Sequence, residues 1–90
     1  MPRVHVIVRG QVQGVGYRWF AVRQAQRLAL TGWVRNRDDG SVEAEVDGLR
    51  ATLEEFLADL RRGPSHAAVT GLDVEWSEPA HRHREFVIRD

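Results

Sequence analysis

The feature that most limits how this chain can fold is the order in which its apolar residues change period. Val4, Val6 and Val8 alternate with Arg3, His5 and Arg9, the two-residue repeat of a strand with one buried face. The stretch from Gly10 to Gly16, with glycine also at Gly14, ends that repeat. From about Arg18 to Leu30 the period turns helical: Ala21, Val22, Ala25, Leu28 and Ala29 share one face, opposite Arg23, Gln24, Gln26 and Arg27. Thr31-Gly32 is the expected end of this helix, and Trp33 to Arg37 reads as a second strand. The Asp-Gly chemistry of Asp38-Asp39-Gly40-Ser41 predicts a hairpin turn into a third strand, where Val42, Ala44 and Val46 alternate with Glu43, Glu45 and Asp47.

The second helix carries the strongest periodic signal. Leu53, Phe56, Leu57 and Leu60 follow one helical stripe, with Glu54, Glu55 and Asp59 on the wet side. Asp47 or Gly48 is the expected cap, Arg61 and Arg62 suit the negative end of the helix dipole, and Gly63-Pro64 stops it. Leu72, Val74 and Trp76 alternate as a fourth strand closed by Pro79, and Glu85 to Arg89 reads as a short last strand. The predicted order is β-α-β-β-α-β-β, an α+β, ferredoxin-like split βαβ sandwich plus a C-terminal strand. Both helices are expected on one face of an antiparallel-rich sheet. At 90 residues this is expected to be a single domain over residues 1–90.

What the chain lacks excludes whole classes of chemistry. All 13 of its basic residues are Arg, so a Walker A loop, a Schiff-base site and a kinase-type ATP site are ruled out, each needing a lysine amine. With Cys 0, thiol nucleophiles, disulfides and Cys-ligated zinc are ruled out as well. Thirteen acidic residues balance the basic ones, against the basic excess expected of a nonspecific nucleic-acid binder. No apolar run approaches membrane-spanning length and no signal peptide is visible, so no membrane partner is expected and the expected location is cytoplasmic.

The informative stretch is Gly10-Gln11-Val12-Gln13-Gly14-Val15-Gly16-Tyr17-Arg18, between the first strand and the first helix. Backbone N–H groups in a Gly-rich bend can converge on an anion, and the positive end of the following helix adds to them. Arg18 falls where loop becomes helix, and its planar fork matches two phosphate oxygens at once. The same residues also fit a plain strand-to-helix turn that uses glycine for backbone freedom. The stretch is not a dinucleotide fingerprint, because Trp19 stands where the third glycine belongs, nor a cysteine phosphatase loop. Asn36 is the second candidate. In a split βαβ unit the first two strands run parallel, so their C-terminal ends share an edge, and Asn36 lies two residues beyond Val34 on its helix-facing side. There its amide can accept from a water while donating to an anion; the competing role is preparation of the Asp38-Asp39-Gly40 turn.

The stretch from Gly10 to Arg18 closely resembles the first signature of the acylphosphatase family, and Gly32-Trp33-Val34-Arg35-Asn36-Arg37-Asp38-Asp39-Gly40-Ser41-Val42-Glu43 resembles its second. The resemblance covers essentially the whole chain, from Val4 to Arg89. It implies hydrolysis of the carboxyl-phosphate bond of acyl phosphates, with no cofactor and no metal, and maps the family's catalytic Arg onto Arg18 and its catalytic Asn onto Asn36. The expected phosphate-binding loop is Gln13, Gly14, Val15, Gly16, Tyr17 and Arg18. The expected ligands are a small acyl phosphate and, as site ligands, inorganic phosphate or sulfate, bound by a monomer. The rival is an acylphosphatase-like anion-binding or regulatory module without catalysis. A His81-x-His83 pair is a weaker metal candidate that a polar loop also explains, and His5 is expected on the exposed face of its strand. Trp19, Trp33 and Trp76 are expected in the core or on the sheet face rather than as base-stacking platforms.

Overall fold

A computed structural model describes all residues, 1–90. The elements are β1 (Arg3–Gln11), α1 (Tyr17–Arg27), β2 (Thr31–Asn36), β3 (Val42–Asp47), α2 (Arg50–Arg62), β4 (Ala68–Ser77) and β5 (Phe86–Ile88). They form one sheet in the order β4-β1-β3-β2-β5. β3 lies antiparallel to both β1 and β2, so β1 and β2 point the same way and end on the same edge. β4 pairs antiparallel with β1, and β5 adds itself parallel to β2 at the far edge. This is the split βαβ plan expected from the periods, with the last strand beside β2. No helix of the chain is long and apolar enough to cross a membrane.

The core lies between the sheet and the two helices. Val4, Val6 and Val8 of β1, Val34 of β2 and Val42, Ala44 and Val46 of β3 meet Ala21, Val22 and Ala25 of α1 and Leu53, Phe56, Leu57 and Leu60 of α2. Apolar burial of this kind contributes about 25 cal/mol per Å2 removed from water. The register also decides where Asn36 points. Val42 opposes Val8 on one side and Asn36 on the other. Directly opposed residues share a face, so Asn36 stands in the row of Val8 and Val42 on the helix side of the sheet.

Three boundaries differ from expectation for identifiable reasons. α1 stops at Arg27 rather than near Leu30, because Ala29 takes a left-handed conformation with φ 55°. The Leu30 N–H then donates to the Ala25 carbonyl at 2.9 Å and the Ala29 N–H to Gln26 at 3.1 Å. That paired arrangement is a Schellman end, with alanine where glycine is usual. Thr31 and Gly32 are thereby freed to begin β2 instead of closing the helix. Neither Asp47 nor Gly48 caps α2; Leu49 holds that position without a side-chain bond.

Asp47 is occupied elsewhere. It projects from the open face of the sheet yet is only 1% exposed. Arg3 reaches it through Nε at 2.6 Å and Nη2 at 3.0 Å, and the His83 N–H donates to it at 2.8 Å. Arg3 also donates to the His81 carbonyl at 3.0 Å, while His83 Nε2 sits 2.7 Å from Glu45. The histidine pair thus belongs to a fastening that holds the β4–β5 connection across the sheet. His5 is likewise more engaged than expected, its Nε2 lying 2.5 Å from Glu43.

Burial alone would raise the Asp47 carboxyl, but the bonds from Arg3 and His83 and the charge of Arg3 outweigh it and hold the group below the usual carboxylate range. Its stabilising contribution is therefore complete above that range and is lost as pH falls through the depressed folded value. Asp47→Ala removes the acceptor of both Arg3 bonds and of the His83 N–H, leaving Arg3 with Glu45 and the His81 carbonyl, and is expected to lower unfolding free energy by about 2 kcal/mol. The check is a urea titration showing a lower midpoint at an unchanged slope, with the gap to the native chain narrowing in acid.

Candidate active site

The loop between β1 and α1 is built around two left-handed glycines. Gly14 has φ 75° and Gly16 has φ 77°, while a Cβ on either would meet no atom within 4 Å. The requirement for glycine here is conformational, not spatial. Val15 between them packs on the core and fixes the bend. Gly16 is the N-cap of α1, and that helix has no side-chain cap and no acidic residue in its first turn. Its positive end is left uncompensated. The first α1 amide with a chain partner is Phe20, which donates to Gly16 O at 3.0 Å; the N–H groups from Gln13 to Arg18 meet no protein acceptor. A row of free donors on a Gly-rich bend is the arrangement that binds anions.

The loop borders a cavity of about 240 Å3 lined by Val12, Gly14, Gly16, Tyr17, Arg18 and Asn36, together with Trp19. Arg18 and Asn36, 18 residues apart in sequence, therefore share one cavity. Arg18 is partly buried and takes no carboxylate partner, whereas Arg3, Arg9, Arg27, Arg35, Arg37, Arg50 and Arg62 each do. The cavity wall contains no carboxylate and no imidazole. A larger depression of about 390 Å3 also touches Asn36, but Asp38, Asp39 and Asp90 line it beside Arg35 and Arg37. Three carboxylates make it a poor host for a phosphoryl group, so the smaller cavity is the better anion site.

Not every residue of the expected loop presents its side chain. Tyr17 is a core residue, 2% exposed, whose hydroxyl donates to the Leu60 carbonyl at 2.6 Å. Burial pushes its phenol well up, so it offers the site a backbone amide and no acid-base chemistry near neutrality. Gln13 turns outward from the cavity: its Nε2 donates to the Arg37 carbonyl at 2.7 Å and to Ser41 at 2.9 Å. That pair of bonds ties the first loop to the β2–β3 hairpin directly beyond Asn36. It fixes the two halves of the site relative to each other, a role the sequence did not disclose. The hairpin itself is closed by the Asp39 carboxylate, which accepts from Ser41 N at 3.0 Å and Ser41 Oγ at 2.5 Å. Those two bonds hold Asp39 below the usual carboxylate range. None of these bonds uses the Asn36 side chain.

Trp19 overturns one expectation. It is 62% exposed on α1, neither in the core nor on the sheet face. Trp33 and Trp76 do lie on the sheet, Trp33 beneath Arg89 with the guanidinium carbon 4.5 Å from the ring centre, Trp76 beneath Arg50 at 4.1 Å.

Comparison with known proteins identifies the family of this fold. The sequence model of the acylphosphatase family matches residues 4–88. An acylphosphatase of Methylococcus capsulatus is 52% identical, over 100% of this chain and 99% of its own. The crystal structure of acylphosphatase from Bacillus subtilis superposes with a TM-score of 0.97 at 38% identity, covering 100% of both chains. Full-length HypF, in its phosphate- and nucleotide-bound form, matches at TM-score 0.83 and 26% identity, over 100% of this chain but 12% of HypF. By fold, sequence and extent of the match, the chain belongs to the acylphosphatase family.

Proposed function

We propose that the cavity between the β1–α1 loop and Asn36 hydrolyses the carboxyl-phosphate bond of acyl phosphates. The observation that carries this reading is the meeting of Arg18, the free loop amides and Asn36 on one small cavity. Arg18 grips two phosphoryl oxygens with its fork while the amides of Gln13 to Arg18 donate to the others, so the charge moving onto those oxygens meets donors already in place. Asn36 orients a water in line with the acyl oxygen. The water oxygen bonds to phosphorus, the phosphorus–acyl oxygen bond breaks, and its electron pair leaves with the carboxylate. A leaving group with a pKa of about 4 needs no proton, so no general acid is required. With no carboxylate or imidazole on the wall, the phosphoryl oxygens themselves take the water's proton. Phosphoryl transfer rests chiefly on positioning and charge stabilisation, which these residues supply.

The second reading, an anion-binding module without turnover, draws on the likeness to a small part of HypF. Benzoyl phosphate hydrolysis by the purified chain at low protein concentration separates the two. Turnover is expected; saturable phosphate binding without turnover would favour the module.

The wall's chemistry carries a further expectation. Its positive field comes from a guanidinium, amides and a helix end, with no set of ligands for a divalent ion. Dialysis against a chelator is expected to leave the rate unchanged, with inorganic phosphate or sulfate inhibiting competitively. Loss of activity restored by one divalent ion would contradict this.

A further inference from the structure

The β1–α1 loop and Asn36 belong to strands that are not neighbours. β3 lies between β1 and β2, so no ladder bond joins the strand that leads into the loop to the strand that ends at Asn36. Two strand spacings, about 9–10 Å, separate them. From Val12 to Gly16 the loop's only hydrogen bonds to the β2–β3 hairpin are the two that Gln13 Nε2 donates, at 2.7 Å to the Arg37 carbonyl and 2.9 Å to the Ser41 carbonyl. Arg37 directly follows Asn36, and Ser41 directly precedes β3. The main-chain N–H of Gln13 begins the row of free donors in the loop. One half-buried side chain therefore runs from the phosphate cradle to the backbone that carries Asn36.

The hairpin is closed without these bonds. The Arg37 carbonyl already accepts from the Gly40 N–H at 3.2 Å, and the Ser41 carbonyl from the Arg37 N–H at 2.9 Å. Asp39 holds the turn from within through Ser41. Gln13 thus gives both hydrogens of its amide nitrogen to carbonyls that the hairpin has already paired. What its two bonds add is a fixed distance. We infer that Gln13 is a positioning residue for the hydrolysis, holding Asn36 and the water it orients at the in-line distance from the phosphoryl group seated on the loop. The inference rests on the hydrolase reading and on the role of Asn36 within it, and names the residue that sets the spacing of its two halves. Attack requires the reacting atoms at about 3–3.5 Å, and a misplacement of about 1 Å can cost a hundredfold in rate. A loop held to the hairpin by one side chain is open to such an error when that side chain is removed.

The test measures kcat for benzoyl phosphate and the inhibition constant for inorganic phosphate in Gln13→Ala and Gln13→Met, each alone and combined with Asn36→Ala. Methionine keeps the length and much of the volume of glutamine and donates nothing. Both single variants are expected to lose about tenfold in kcat, with the phosphate inhibition constant within about twofold of native. In the Asn36→Ala background the same substitutions are expected to cost less than about twofold, because the residue through which Gln13 acts is already gone. Native kcat in Gln13→Met would show that the side chain only fills space, and overturns the inference. So does a full tenfold loss in the Asn36→Ala background, which would place its action elsewhere. Phosphate binding lost together with turnover, through unfolding or a collapsed cradle, overturns it as well. A native chain that does not hydrolyse benzoyl phosphate overturns the hydrolase reading beneath it, and Asn36→Ala with native kcat overturns the role of Asn36.

Discussion

Arg18→Ala is expected to cut kcat/KM for an acyl phosphate by at least about a hundredfold, the scale seen when a strong donor to a developing oxyanion is removed. The size follows from the absence of any substitute. Arg18 is the only ionised side chain on the cavity wall, and no neighbouring carboxylate draws its charge away. Both affinity and turnover should suffer, because the guanidinium holds the phosphoryl oxygens before and during the reaction. Arg18→Lys is expected to recover little, since an ammonium is a point charge and cannot make two parallel bonds. Folding should be retained, because Arg18 forms no structural ion pair; a thermal melt close to native alongside the kinetics shows this. A folded Arg18→Ala with near-normal kcat/KM would rule the site out.

Asn36→Ala is expected to act on a different quantity. If the amide orients the attacking water, its contribution lies mainly in the transition state and little in ground-state phosphate binding. Turnover should then fall strongly, on the order of a hundredfold, while the inhibition constant for inorganic phosphate stays close to native. The hairpin should survive, because Asp39, Ser41 and Gln13 close it without the Asn36 side chain. Asn36→Asp keeps the shape but sets a carboxylate against the substrate anion and removes the amide donor, so it should be poor as well. Equal losses in turnover and phosphate inhibition would make Asn36 a phosphate ligand instead. No change in either would make it a turn residue.

The parts of this fold that were legible in the sequence are those set by local periodicity. Val4, Val6 and Val8 could only be a half-buried strand, and the Leu53-Phe56-Leu57-Leu60 stripe only a helix facing it. The position of Asn36 followed from the same period once β1 and β2 were placed parallel. What escaped depends on contacts distant in sequence or on rare backbone choices. The end of α1 turns on Ala29 adopting a conformation alanine seldom takes, which no local pattern signals. Asp47 looks like a helix cap, and only the register that brings Arg3 opposite it shows why it is not one. The Gln13 clamp needs the hairpin already folded beside it. The exposure of Trp19, by contrast, was within reach of the helical period, since it stands on the side of α1 opposite the buried Tyr17, Ala21 and Ala25.

The phosphate cradle can be tested without any assay of turnover. An isotope-labelled chain titrated with inorganic phosphate and followed by amide NMR reports each N–H separately. Saturable shifts are expected at the amides of Gln13 to Arg18 and at the Arg18 side chain, with one common dissociation constant equal to the phosphate inhibition constant. Shifts centred instead on the hairpin depression around Asp38 and Asp39, or no saturable shift at concentrations that inhibit hydrolysis, would contradict a site at the start of α1.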